Sequence, residues 1–103
     1  MAIQPGAIIR VSDIDTLVQT GSELISFSNK DNHTHAVDFP ADFAGPPVVT
    51  TNIDSGSGPT ARWISRAINI SPTGFTIFVF ASTSGASTSW SDIQVSWTAT
   101  YRP

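Results

Sequence analysis

With 103 residues, the chain has room for one core; 40% of its residues are hydrophobic and 13% charged. That balance is too apolar for a disordered chain and too lightly charged for a typical soluble monomer, so part of its surface is expected to lie against other subunits. A net charge of −3 and five scattered Lys and Arg residues provide no basic patch, which excludes nucleic acid as the expected partner.

The chain has no cysteine, which removes disulfides, thiolate nucleophiles and Cys-type zinc sites together. No apolar run approaches the ~20 residues needed to span a bilayer, so no membrane insertion is expected. The start, Met1-Ala-Ile-Gln-Pro-Gly6, lacks the basic and apolar segments of a secretory signal. Synthesis in a cytosol without a signal peptide is therefore expected.

In chain order, Ser12 and Asp15 have capping-box spacing, and Ile14, Leu17 and Val18 follow at helical spacing. A short helix is predicted over about Asp13 to Gln19, ending near Gly21, within a leader of residues 1–20 that precedes one domain at 21–103. Its apolar stripe is too short to be stable alone. It must pack on its own domain or with other copies around an axis.

Beyond Gly21 the chain reads as strands at Glu23 to Asn29, His35 to Phe39, Pro47 to Ile53, Arg62 to Ile70, Phe75 to Ala81 and Trp90 to Tyr101. Separated by Gly, Pro, Ser, Asn and Asp, they predict an all-β, antiparallel sandwich or barrel. In the last strand Ile93, Val95, Trp97, Ala99 and Tyr101 share one face, and polar residues share the other. The strand Arg62 to Ile70 has no plain solvent face, as expected if its sheet is covered both by the other sheet and by a neighbouring subunit. Arg66, between Ile64 and Ile68 on one face, would then be a partly buried cation that needs a carboxylate or several carbonyls, with Asp54 or Asp92 of the same or another chain as candidates.

Trp97 reads as core, and Trp63, opposite Arg62, as core or subunit contact, with a ring face for a sugar as the alternative. Trp90 shares its face with Asp92 and Gln94, which leaves a binding role and edge packing both open. His33 and His35 have metal-pair spacing without a third ligand, so no metal or other cofactor is expected. Asp31 is a turn residue in Asn29-Lys-Asp-Asn32. No Ser-His-Asp set and no phosphate loop is present, and capping explains Asp13 and Asp15; no enzyme activity is expected.

Gly45-Pro-Pro-Val-Val49, the pair Arg62 and Arg66, Ser71-Pro-Thr-Gly-Phe75, and Val95-Ser-Trp97 ending near Tyr101 resemble the H-type lectins, the group that contains the snail agglutinin and the discoidins. Val18-Gln-Thr-Gly21 is similar to the start of such a domain. The resemblance runs over about residues 18 to 101 and implies a six-stranded antiparallel β-sandwich that forms trimers and binds galactose or N-acetylgalactosamine near subunit boundaries. It places Arg62 at the sugar-binding arginine, and Ser82 and Thr83 where the family keeps an aromatic and a histidine. Ser91, beside Trp90, falls on a second aromatic position, and Asp31 on an acidic residue contributed by a neighbouring chain.

The expected carbohydrate-binding set is thus Arg62, Trp90, Asp31, Ser82, Thr83 and Ser91, with no catalytic residue. A homotrimeric lectin for cell-surface glycans is expected, with pairing of trimers into hexamers left open. The alternative is a trimeric structural or attachment module that has lost the sugar site. Pro5 to Asp15 is similar to entry segments of phage tail and fibre proteins, so action outside the cell or as part of a virion is expected.

Overall fold

Alternation of apolar and polar residues organises the chain into strands whose inner side chains meet in one core. The computed structural model describes residues 17–55, 58–83 and 87–102. Among these residues the strands are β1 (Val18–Lys30), β2 (Asn32–Asp38), β3 (Val48–Ile53), β4 (Trp63–Ile68), β5 (Gly74–Ala81) and β6 (Thr88–Thr100), with a 3-10 turn at Gly58–Thr60. They form two three-stranded antiparallel sheets, β1-β6-β3 and β2-β5-β4. The expected six-stranded sandwich is therefore present.

Ile25, Ile77, Val79 and Val95 are fully buried at its centre. Aromatic groups pack toward either end. Phe27, His33, Trp63 and Trp90 lie together with ring centroids 5.0 to 5.2 Å apart. At the other end Phe39 and Phe75 pack against Trp97 at 5.6 and 5.5 Å.

The turn between β4 and β5 is held by Ser71, whose hydroxyl accepts from the Thr73 and Gly74 N–H groups at 3.3 Å each. The turn also anchors the segment after β2: the carbonyls of Pro72 and Thr73 accept from the Phe43 and Phe39 N–H groups, both at 2.9 Å. Gly74 allows this close packing, because a Cβ there would collide with the Val37 carbonyl.

Two expectations are corrected. Val18 and Gln19, the end of the predicted helix, are strand residues: β1 pairs with β6 as far as Val18 opposite Thr100. Gln19 points inward and bonds Ala41 twice, donating to its carbonyl at 2.7 Å and accepting from its N–H at 3.1 Å. Long-range pairing overrides a short helical pattern. Asp13 to Thr16 lie outside the described residues.

The second correction concerns Trp90, which is 2% exposed and faces the core rather than sharing the face of Gln94. The strand register slips between the pairs Ile25↔Ile93 and Phe27↔Trp90, leaving two β6 residues, Ser91 and Asp92, opposite one β1 residue. This is a β-bulge, marked by a φ of 48° at Asp92, whose N–H donates to Ser26 Oγ at 2.9 Å. One extra residue moves Trp90 to the opposite face.

Candidate functional site

Three of the predicted site residues come together because three strand ends stop in the same row. The Asp31 carbonyl, just before β2, accepts from the Ala81 N–H at 2.8 Å, and the Arg62 carbonyl, just before β4, accepts from the Ser82 N–H at 2.7 Å. Asp31, Ser82 and Arg62 therefore line one end of the β2-β5-β4 sheet, and Thr83 follows in the chain. All four are exposed. Among the described residues the Arg62 guanidinium meets no ion-pair or hydrogen-bond partner, whereas the Asp31 carboxylate accepts from Asn32 Nδ2 at 2.7 Å.

Beside this row is an open depression of about 480 Å³, lined by Asn29 to Thr34 and Ser87. Lys30 Nζ lies 3.2 Å from His33 Nδ1, which accepts from the ammonium. Burial, first, and then the charges of Lys30 and His35 hold the His33 pKa below its ordinary value of 6.5. His35 faces Glu23, with Nε2 to Oε1 at 3.1 Å. The two histidines thus have separate partners, and among the described residues no three His, Asp or Glu side chains cluster as a metal would need.

Trp90 does not join this surface. Its indole stacks on Phe27 at 5.1 Å and donates to the Pro59 carbonyl at 3.2 Å, so the expected ring platform is part of the core beneath the row. Ser91 is exposed at the bulge of β6, in the other sheet. The surface at this end carries charge and hydroxyls, and the aromatic rings lie below it.

The outward face of β2-β5-β4 is the larger feature. Ile64 and Phe80 are cross-strand partners, as are Arg66 and Phe78, then Ile68 and Thr76. Phe78 and Phe80 stack at 5.0 Å, and Ile64 is 46% exposed. In the middle of this apolar face Arg66 meets no ion-pair or hydrogen-bond partner among the described residues. Neither predicted partner serves it within the chain. Asp54 accepts from Ser96, from Asn52 at 2.8 Å and from Gln94 at 3.2 Å, and Asp92 accepts from Ser26 at 3.4 Å. Those donors, Ser96 and Asn52 first, hold the Asp54 carboxyl below its ordinary pKa.

The structure also gathers residues that strand alternation alone does not single out. Thr51 of β3 and Ser65 of β4 join hydroxyls across the sheets at 2.9 Å, beside Trp63. Both are small polar residues at inward positions of edge strands, and that was the available signal.

Residues 34–100 match the H-type lectin domain. The chain belongs to the H-type lectin domain family. Its fold is similar to part of the tailspike of Pseudomonas phage phi297, with a TM-score of 0.69 and 15% identity over 82% of this chain and 15% of that one. The tailspike of Pseudomonas phage LKA1 gives 0.64 and 20% identity over 80% of this chain and 14% of that one. An N-truncated R1-type pyocin tail fibre gives 0.62 and 15% identity, covering 82% of this chain and 70% of the fibre. This H-type lectin domain thus spans about one seventh of the tailspike chains, and at such identities the likeness is one of fold. No curated protein matches the chain.

Proposed function

We propose that this H-type lectin domain is a homotrimeric attachment module of a phage tail or fibre, acting as part of a virion or outside the cell. The carrying observation is the outward face of β2-β5-β4, where Ile64, Ile68, Phe78 and Phe80 surround the unpartnered Arg66. A contiguous apolar sheet face is an interaction surface, and a cation within it needs a partner from outside its own chain. The likeness in fold to two tailspikes and a pyocin tail fibre supports the setting. Light scattering tests it: a trimer has three times 10.9 kDa, about 33 kDa. A monomer at micromolar concentration would overturn the reading.

Glycan binding at the sheet end is the second reading, and Arg62 favours it. An exposed guanidinium without a partner offers a planar fork of donors to vicinal hydroxyls, beside Asp31, Ser82 and Thr83. Three weak sites on one trimer would gain avidity by being linked. A glycan array that includes galactose and N-acetylgalactosamine, run with the wild type and Arg62→Ala, tests this reading; glycan signal unchanged by Arg62→Ala would remove it.

A further inference from the structure

We infer that the seam between β3 and β4 is a binding slot for a neutral sugar ring, separate from the Arg62 end of the sheet. The inference deepens the attachment reading and rests on it, since it names a class of molecule the module would hold. β3 and β4 are edge strands of opposite sheets, and the gap between them opens a slot of about 350 Å³. Thr51, Asn52 and Ile53 from β3 and Trp63, Ile64 and Ser65 from β4 line it, together with Thr60 of the 3-10 turn, so the slot reaches the edge of the apolar face at Ile64.

The chemistry of that lining is specific. Trp63 is half-buried, packed in the core against Phe27 at 5.2 Å and Trp90 at 5.1 Å, and it is one of the residues that line the slot. Among the described residues its N–H meets no hydrogen-bond partner, and Trp97 Nε1 is the buried side-chain atom left without one, so the Trp63 N–H is open to solvent. Thr51 Oγ1 donates to Ser65 Oγ at 2.9 Å, which leaves the Ser65 proton and the Thr51 lone pairs for another group. An indole supplies a platform for the C–H face of a pyranose, and paired hydroxyls with a free N–H match its rim of hydroxyls.

Among the described residues no charged side chain lines the slot. A sialic acid, a uronic acid or a phosphosugar would enter without a counter-charge, so the fitting ligand is neutral. The sheet end has the opposite character, with Arg62, Lys30 and Asp31 around it. The two surfaces therefore select different saccharides.

Saturation-transfer NMR with glucose, galactose, N-acetylglucosamine and rhamnose tests the slot, using the wild type, Arg62→Ala and the double variant Thr51→Val with Ser65→Ala. Replacing both partners of a hydrogen bond by apolar groups of similar shape is close to neutral for folding, so the double variant reads the slot and not the fold. At least one neutral sugar is expected to bind the wild type and Arg62→Ala equally, with at least a tenfold loss in the double variant. The Trp63 indole N–H signal is expected to move on binding while those of Trp90 and Trp97 stay. No binding by the folded wild type would overturn the inference, as would binding that survives in the double variant. Light scattering reads the trimer separately, so failure of the attachment reading is distinguishable from failure of the slot.

Discussion

At Gly74 and Gly21 neighbouring groups occupy the space a side chain would need. A methyl group on Gly74 would collide with the Val37 carbonyl, and one on Gly21 would stand 2.6 Å from the Trp97 ring. Backbone cannot give way as a side-chain tip can, so Gly74→Ala is expected to cost about 1–3 kcal/mol in urea unfolding. Trp90 and Arg62 make the opposite pair. Trp90→Ala removes a buried indole and is expected to cost about 3–5 kcal/mol, whereas Arg62→Ala, at an exposed side chain without a partner, should stay within about 0.5 kcal/mol of wild type. A glycan-binding defect in Trp90→Ala would therefore report unfolding, and one in Arg62→Ala a lost contact. His33 adds a pH dependence. Its folded pKa lies below the ordinary 6.5, so between those values the unfolded chain binds the proton and the folded one does not. The His33 contribution to stability is full above about pH 6.5 and is lost as pH falls toward the folded pKa. Urea midpoints from pH 7 to pH 5 should fall, and His33→Gln should flatten that fall.

At the scale of the element, β1 shows where sequence pattern and structure part. Leu17 and Val18 fit a helical stripe by spacing, but the Leu17 carbonyl accepts from the Tyr101 N–H at 2.8 Å, and Val18 pairs with Thr100. No local pattern contains a partner more than eighty residues away. β6 was legible from Ile93 to Ala99 because its alternation is unbroken there; it failed at Trp90 because the bulge at Ser91 and Asp92 has no signature in residue type. The turn Ser71-Pro-Thr-Gly74 was legible for a physical reason, since its serine hydroxyl and its glycine are each required by the contacts they make. For the candidate site, counting from that turn found the strand-end row of Arg62 and Ser82. It could not find which rings lay on the surface. Gln19 offers the element-scale test. It is 6% exposed and ties β1 to the segment at Ala41 through two hydrogen bonds. Gln19→Leu keeps the volume roughly and strands both Ala41 groups, so a loss of about 2 kcal/mol is expected in urea unfolding.

At the scale of the whole molecule, the two outward sheet faces differ. The β1-β6-β3 face is mostly Ser, Thr, Asn and Asp, broken by the exposed Val18, Leu24 and Val48, while the β2-β5-β4 face presents Ile64, Ile68, Phe78 and Phe80. Only the second is continuous enough to hold copies together. Phe78 points away from the core that Phe75, Ile77 and Val79 form on the other side of the same strand, so it can be changed without removing core packing. If copies meet through this face, folding is linked to association, and the thermal midpoint of the wild type rises with protein concentration. Phe78→Glu places a charge beside Arg66 in a surface that must be dehydrated to associate. It is expected to sediment as a folded monomer, with a midpoint that no longer depends on concentration. A trimer that persists in Phe78→Glu with an unchanged midpoint would move the contact surface to the other sheet, where Leu24→Glu is the corresponding test.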